Sequence, residues 1–119
     1  VRHAVRVYPK INTLLALSFM DGKPLGEGTL MDISLGGIAI LVNEPLSIKE
    51  GQNIQMHFNA SLLGISQTVN GTLIFISMYN KGYRYHFKLL ANTQQEKVIG
   101  AYISQREKEI IKSLREYLI

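Results

Sequence analysis

Two small groups of side chains carry most of the chemistry that this sequence offers. The first is Arg2-x-x-x-Arg6, in a ten-residue segment that also holds His3 and Lys10 and contains no acid. Four residues is an even spacing on a strand and about one turn on a helix, so the two guanidinium groups project to the same side in either conformation. Planar cationic forks of this kind bind phosphate oxygens and the O6/N7 edge of guanine bidentately. The second group is Asp32-x-Ser34-x-x-Gly37. A carboxylate accepts hydrogen bonds and matches the N1–H and N2–H donors of a guanine Watson–Crick edge. Ser34 has a hydroxyl to give to phosphate, and Gly36 and Gly37 permit positive φ and close approach of a ligand to the backbone. Each group also has a plainer reading. The arginines are then two solvated charges near the start of the sequence, and the Asp-Ser-Gly segment is a turn bonded to its own backbone. Together, however, the two groups supply the cationic and the acidic, hydroxyl-bearing surfaces that a ligand with guanine rings and phosphates needs.

Catalysis finds no support beside them, and the chain is not expected to be an enzyme. There is no Gly-rich phosphate loop ending in Lys-Ser or Lys-Thr and no His-Glu-x-x-His. No Gly-x-Ser-x-Gly elbow accompanies the serines. His3, His57 and His86 have no second histidine or carboxylate at ligand spacing, so they read as surface or strand histidines and no metal site is expected. The absence of cysteine excludes disulfides, thiolate catalysis and Cys-ligated metal. Asn59-Ala60-Ser61 and Asn70-Gly71-Thr72 match the glycosylation acceptor, a three-residue pattern without weight unless the chain is secreted.

The elements that must position these groups follow from length and periodicity. A chain of 119 residues fits one domain, and 46% apolar content suffices for one core. A net charge of +4 suits an anionic partner or simply a basic soluble domain. No apolar run approaches the roughly 18 residues needed to cross a bilayer, so direct membrane insertion is not expected. The N-terminal Val1 suggests a piece of a larger protein. Strands are expected over 11–20, 28–33, 37–42, 52–59, 66–77 and 83–90, with a turn at Asp21-Gly22 and a hairpin tip at Lys81-Gly82. Alternation puts Ile54, Met56 and Phe58 on one face. It likewise groups Val69, Leu73 and Phe75, and Tyr83, Tyr85 and Phe87. From Gln94 onward Ile99, Tyr102, Ile103, Arg106, Ile110, Leu114 and Tyr117 recur at helical steps, with Thr93 as N-cap and Glu96 completing a capping box. The fold class expected is mainly β: a small antiparallel barrel with a long C-terminal helix. The divisions are a flexible basic arm over 1–10, the barrel over 11–92 and the helix over 93–119.

Arg-x-x-x-Arg followed about thirty residues later by Asp-x-Ser-x-x-Gly, with strands between and after, resembles the signature of PilZ domains. That resemblance implies a six-stranded antiparallel barrel that binds cyclic di-GMP in the bacterial cytoplasm, without a cofactor. Arg2 and Arg6 would clasp guanine and phosphate from the N-terminal segment. Asp32 and Ser34 would read the second guanine and a neighbouring phosphate, with Gly36 and Gly37 forming the turn. Ordering of a mobile arginine arm would then be the signal, passed to an N-terminal partner domain or to a downstream protein such as a flagellar motor component or polysaccharide synthase. In this respect the chain resembles the C-terminal domain of flagellar brake proteins.

Two positions depart from the family pattern. The last strand reads Tyr83-Arg84-Tyr85-His86 where relatives often have Gly at the fourth place. His86 then either stacks on a guanine or crowds the site. Val1 precedes Arg2 where relatives that take up an intercalated ligand dimer have an extra Arg, so one ligand per domain is expected. Two other functions fit parts of the pattern. A nucleic-acid-binding barrel would use Tyr83, Tyr85 and Phe87 as a stacking platform, although these residues read as core and the charge is confined to one end, so no nucleic-acid partner is expected. A ligand-free protein adaptor would not need the arginine pair.

Overall fold

The computed structural model describes residues 5–58 and 67–118. Arg2, and with it His3 and Val1, lies outside the described residues. Six strands form a closed barrel: β1 (Leu14–Phe19), β2 (Pro24–Ile33), β3 (Gly37–Val42), β4 (Asn53–Phe58), β5 (Gln67–Tyr79) and β6 (Gly82–Leu90). Their order around the barrel is β1-β2-β3-β6-β5-β4, and the β1–β4 pairing closes it. Every neighbouring pair is antiparallel. A single helix, α1 (Thr93–Leu118), follows the last described strand.

Alternation explains the interior. Leu15, Leu17, Ile38, Ile40, Ile54, Met56, Phe58 and Val69 all point inward and are buried. Tyr83, Tyr85 and Phe87 share this inner side: Tyr85 and Phe87 are buried, and Tyr83 packs against the core. The phenol of Tyr85 reaches the rim, where the Leu46 N–H donates to it at 2.8 Å. Gly71 also faces inward. A Cβ there would lie 2.5 Å from Met56 Cε, so its hydrogen leaves room for the methionine.

Several boundaries differ from those expected, each for a local reason. β2 begins at Pro24, because the segment before Gly28 pairs with β1. The hairpin turn is Asn80-Lys81, with Asn80 in the left-handed region at φ 54°. The helix cap sits one residue earlier than Thr93. The Gln95 N–H donates to Asn92 Oδ1 at 2.8 Å, and the Asn92 N–H donates to Gln95 Oε1 at 3.0 Å. Asn and Gln thus form the reciprocal box expected of Thr93 and Glu96. In the helix, Ile99 and Ile103 are buried against the barrel, whereas Leu114 and Tyr117 are exposed.

The N-terminal segment is anchored where it meets the barrel. Val7 is only 2% exposed. It exchanges two backbone hydrogen bonds with Ile33, at 3.0 and 2.9 Å. The next residue is clamped by the helix: Arg106 Nε donates to the Tyr8 carbonyl at 2.9 Å, and the guanidinium lies 5.2 Å from the Tyr8 ring centroid. Arg106 Nη1 pairs with Glu109 at 2.9 Å. This explains how a charged residue sits on the buried stripe of the helix. None of the described helices is long and apolar enough to span a membrane.

Candidate functional site

The side chains singled out from the sequence, apart from Arg2, converge on the outer face of β2, β3, β6 and β5. The register lines up Asp32 with Ala39, Ala39 with His86, and His86 with Phe75. These four residues form one row across four strands, and their side chains share a face.

Strict alternation would not have produced this row. In β2, Gly28 and Leu30 point inward, so Asp32 is due inward as well. A bulge at Met31 shifts the register, sends Ile33 into the core and turns Asp32 outward. In β5, Val69, Gly71 and Leu73 point inward, and Phe75 is due to follow. A second bulge at Ile74 turns it outward instead. The grouping of Phe75 with Val69 and Leu73 is thereby overturned: its ring is half-exposed and stacks on His86, with centroids 3.9 Å apart and planes 14° from parallel. An extra residue in one strand re-aims the side chains that follow it.

Asp32 is held by two arginines. Arg6 Nη1 donates to Oδ1, and Arg84 Nη2 donates to Oδ2 at 2.8 Å. The anchor at Val7 holds Arg6 over the barrel. Its Nη2 would lie 3.5 Å from a Cβ at Gly37, so the guanidinium crosses the glycine on its way to Asp32. A Cβ at Gly37 would also lie 3.2 Å from the Phe87 carbonyl. The requirement for glycine there is close approach and not backbone angle, because neither Gly36 nor Gly37 has a positive φ. Of the two freedoms that glycine permits at this pair, the chain uses close approach, at Gly37. Between them and β2, Ser34 closes the turn: the Gly37 N–H donates to Ser34 Oγ at 3.1 Å, and the Ser34 N–H donates to the Gly37 carbonyl at 2.8 Å. The Leu89 N–H ties Gly36 to β6 at 3.1 Å. Ser34 is buried and its hydroxyl is engaged within the turn, as the plainer reading had it.

A shallow cavity of about 390 Å³ opens beside the turn, bordered by Arg6, Ser34, Gly37, Phe75, His86 and Lys88. Three cations, Arg6, Arg84 and Lys88, stand here against one carboxylate, so the face favours an anion. The imidazole of His86 is held below its ordinary pKa, first by burial and then by the Arg84 charge, with Arg6 acting in the same sense. The Asp32 carboxylate opposes them. Ser77 Oγ is 3.4 Å from His86 Nε2.

Three contributors to this face escaped the sequence reading: Arg84, Lys88 and Phe75. For two of them a signal was present. If Tyr83, Tyr85 and Phe87 face inward, then Arg84, His86 and Lys88 face outward as a basic stripe on β6. Phe75 left no such trace, because a bulge is not visible in a hydrophobic pattern.

The described residues contain no group of three or more His, Cys, Asp or Glu that could hold a metal. The chain is 32% identical over 93 residues to a protein of Aquifex aeolicus (strain VF5) described as uncharacterized, covering 77% of this chain and 44% of that protein. It therefore spans less than half the length of this relative. Among solved structures it superposes on the PilZ domain with c-di-GMP of YcgR from Escherichia coli, with a TM-score of 0.75 and 22% identity over 96% of this chain and 97% of that one. It also superposes on the inhibitor of motility MotI/DgrA of Bacillus subtilis, with a TM-score of 0.70 and 13% identity over 92% of this chain and 52% of that one. These likenesses establish the fold, a closed six-stranded barrel with a C-terminal helix. The profile of the PilZ domain matches residues 1–105, most of the chain, and with the barrel and the paired motif in place the chain belongs to the PilZ domain family.

Proposed function

We propose that this domain is a receptor for cyclic di-GMP, binding one dianionic ligand on the outer face of β2, β3 and β6. The observation that carries this reading is the convergence of Arg6, Asp32 and the Ser34–Gly37 turn on one side of the barrel, from positions up to 31 residues apart in sequence. Arg6, joined by Arg2, clasps a guanine and a phosphate. Asp32 accepts the N1–H and N2–H of the second guanine. Ser34, Gly36 and Gly37 present a flat turn along which a phosphate can lie. The c-di-GMP complex of the E. coli YcgR domain, which shares this fold, supports the choice of ligand.

The Arg6–Asp32 pair suggests how binding proceeds. Arg6 is already paired with Asp32. A phosphate offers it a charge-assisted bond of the same class, so the exchange costs little while the ligand gains both partners. Once Arg2 joins Arg6 on the ligand, the residues before the Val7 anchor are fixed across the barrel as well. That ordering alters contacts with an N-terminal partner domain or downstream protein, such as a motor component or polysaccharide synthase, in the bacterial cytoplasm. The role is binding and not catalysis. The nucleic-acid alternative loses the platform it relied on, because Tyr85 and Phe87 are buried.

Calorimetric titration with cyclic di-GMP, with GMP as control, tests the reading. Saturable binding near one equivalent is expected, lost in Arg2→Ala/Arg6→Ala and absent for GMP. No heat and no thermal shift at high ligand concentration would refute it and favour a ligand-free adaptor.

A further inference from the structure

Strict alternation along β5 sends Phe75 into the barrel behind Leu73, yet the bulge at Ile74 leaves it 44% exposed and stacked on His86. Bulges interrupt the ladder and concentrate beside functional sites, where they re-aim a side chain. The stack fixes more than the position of one ring. Phe75 and His86 are cross-strand partners, and adjacent strands lie about 4.8 Å apart. Ring centroids 3.9 Å apart with nearly parallel planes therefore stand roughly upright on the sheet, with their normals along the line between the strands. One face of the imidazole is covered by Phe75. The other is turned toward β3, where its partner in register is Ala39, two residues from Gly37. Ala39 is fully covered, because Arg6 crosses Gly37 and Arg84 reaches over β3 from β6, both to Asp32. A flat ring, backed by a second ring, thus faces Ala39 and Gly37 beneath guanidinium groups that an anionic ligand can draw away.

We propose that Phe75 and His86 form a purine-stacking platform, with a guanine of the ligand displacing the Arg6 side chain beside Ala39 to become the outer layer of a base–His86–Phe75 stack. This rests on the cyclic di-GMP reading and adds two things to it: a role for His86 where relatives often carry Gly, and a residue from β5 that no motif contains. Phe75 is a positioning residue. It does not meet the base but holds the imidazole upright, with Ser77 Oγ at 3.4 Å from Nε2 as a second restraint. Stacking tolerates any base, so the platform supplies affinity and Asp32 supplies the choice of guanine. Lys88 and Arg6, on the same cavity, face the phosphates.

The test is calorimetric titration of the 119-residue chain with cyclic di-GMP, for the wild type and for Phe75→Leu, Phe75→Tyr, His86→Gly and Arg6→Ala. NMR of the His86 ring protons runs in parallel. Base–aromatic stacking corresponds to roughly five- to 150-fold in affinity. Phe75→Leu, which keeps apolar bulk and removes the ring, is expected to weaken binding about tenfold. His86→Gly is expected to weaken it at least as much, and Phe75→Tyr to bind within about twofold of wild type. Saturation should move the His86 ring protons upfield, a ring-current effect that a purely structural role for Phe75 would not produce. If the wild type binds in an Arg6-dependent manner while Phe75→Leu and His86→Gly bind as well as it does, the platform is wrong and the receptor reading stands. Tighter binding by His86→Gly would show that the histidine crowds the site, and would overturn the platform. No binding by the wild type removes both.

Discussion

Replacing Arg106 by alanine should loosen the join between arm, barrel and helix, and the size of the effect can be worked from its contacts. Arg106 is 7% exposed, so its interactions are only partly screened. Its Nε donates to the Tyr8 carbonyl at 2.9 Å, and a hydrogen bond from a charged donor contributes about 1.5–3 kcal/mol. The guanidinium over the half-exposed Tyr8 ring adds about 0.5–1 kcal/mol. The Tyr8 carbonyl can turn to water once the arginine is gone, which places the total at the lower end, about 2–3 kcal/mol. For a domain of this size, that lowers the melting temperature by roughly 8–12 °C. Urea unfolding with the slope held equal to wild type is the assay, with Glu109→Gln as the control. Glu109 is partly exposed, with its side chain at 36%, so its loss should change the midpoint far less than the loss of Arg106. Arg106→Lys should fall between, because it keeps the aliphatic stem and the charge but not the planar fork. A drop under about 1 kcal/mol for Arg106→Ala would refute the clamp.

Other expectations follow from single contacts. The His86 imidazole, titrated by NMR, should show a midpoint below its usual value of about 6.5. Arg84→Gln should raise that midpoint and Asp32→Asn should lower it further. Because the folded imidazole binds its proton less tightly than the unfolded chain does, this group reduces stability as the pH falls below about 6.5 and has no effect well above it. Asp32→Ala should weaken cyclic di-GMP binding by tenfold or more. Its effect on stability should be limited to about 1–2 kcal/mol, because both side chains it releases, Arg6 at 49% and Arg84 at 29% exposure, can reach water. Gly28→Ala should destabilise by about 1–3 kcal/mol in urea unfolding, since the new Cβ would run into Ile40 Cγ2 and stand 3.3 Å from the Leu41 carbonyl. Asn92→Ala should cost about 1 kcal/mol by removing the acceptor for the Gln95 N–H, where Thr93→Ala should cost much less.

What the sequence discloses and what it hides separate along a physical line. Period two and period 3.6 are properties of single elements, and they identified β3 to the residue, the inward set of β4 and β6, and the docked half of the helix. Motif spacing drew Asp32, Ser34 and Gly37 together because a turn is local. Arg6 and Asp32 came together only through a resemblance, since nothing in the chain between two residues 26 positions apart says that they meet. Caps lie between these cases. Asn92 and Gln95 have the same three-residue spacing as Thr93 and Glu96, and only the end of β6 decides which pair the chain uses.

The bulges mark where sequence reading ends. A bulge is a property of two strands: whether Met31 or Ile74 is the extra residue depends on how many residues the partner strand places opposite. Single-strand alternation would therefore put Asp32 and Phe75 on the wrong face; the motif kept Asp32 outside, and only Phe75 was grouped with the core. The two displacements are related. In each case a regular strand would have buried a side chain that the site requires outside, a carboxylate in one and the backing ring of a stack in the other. At both places the chain breaks the simplest local rule, and it does so on opposite flanks of the same four-residue row. A third register shift, at Leu17/Ser18 between β1 and β2, lies away from this patch, so irregularity is not confined to it; the two shifts that flank the row are the ones that re-aim side chains onto it.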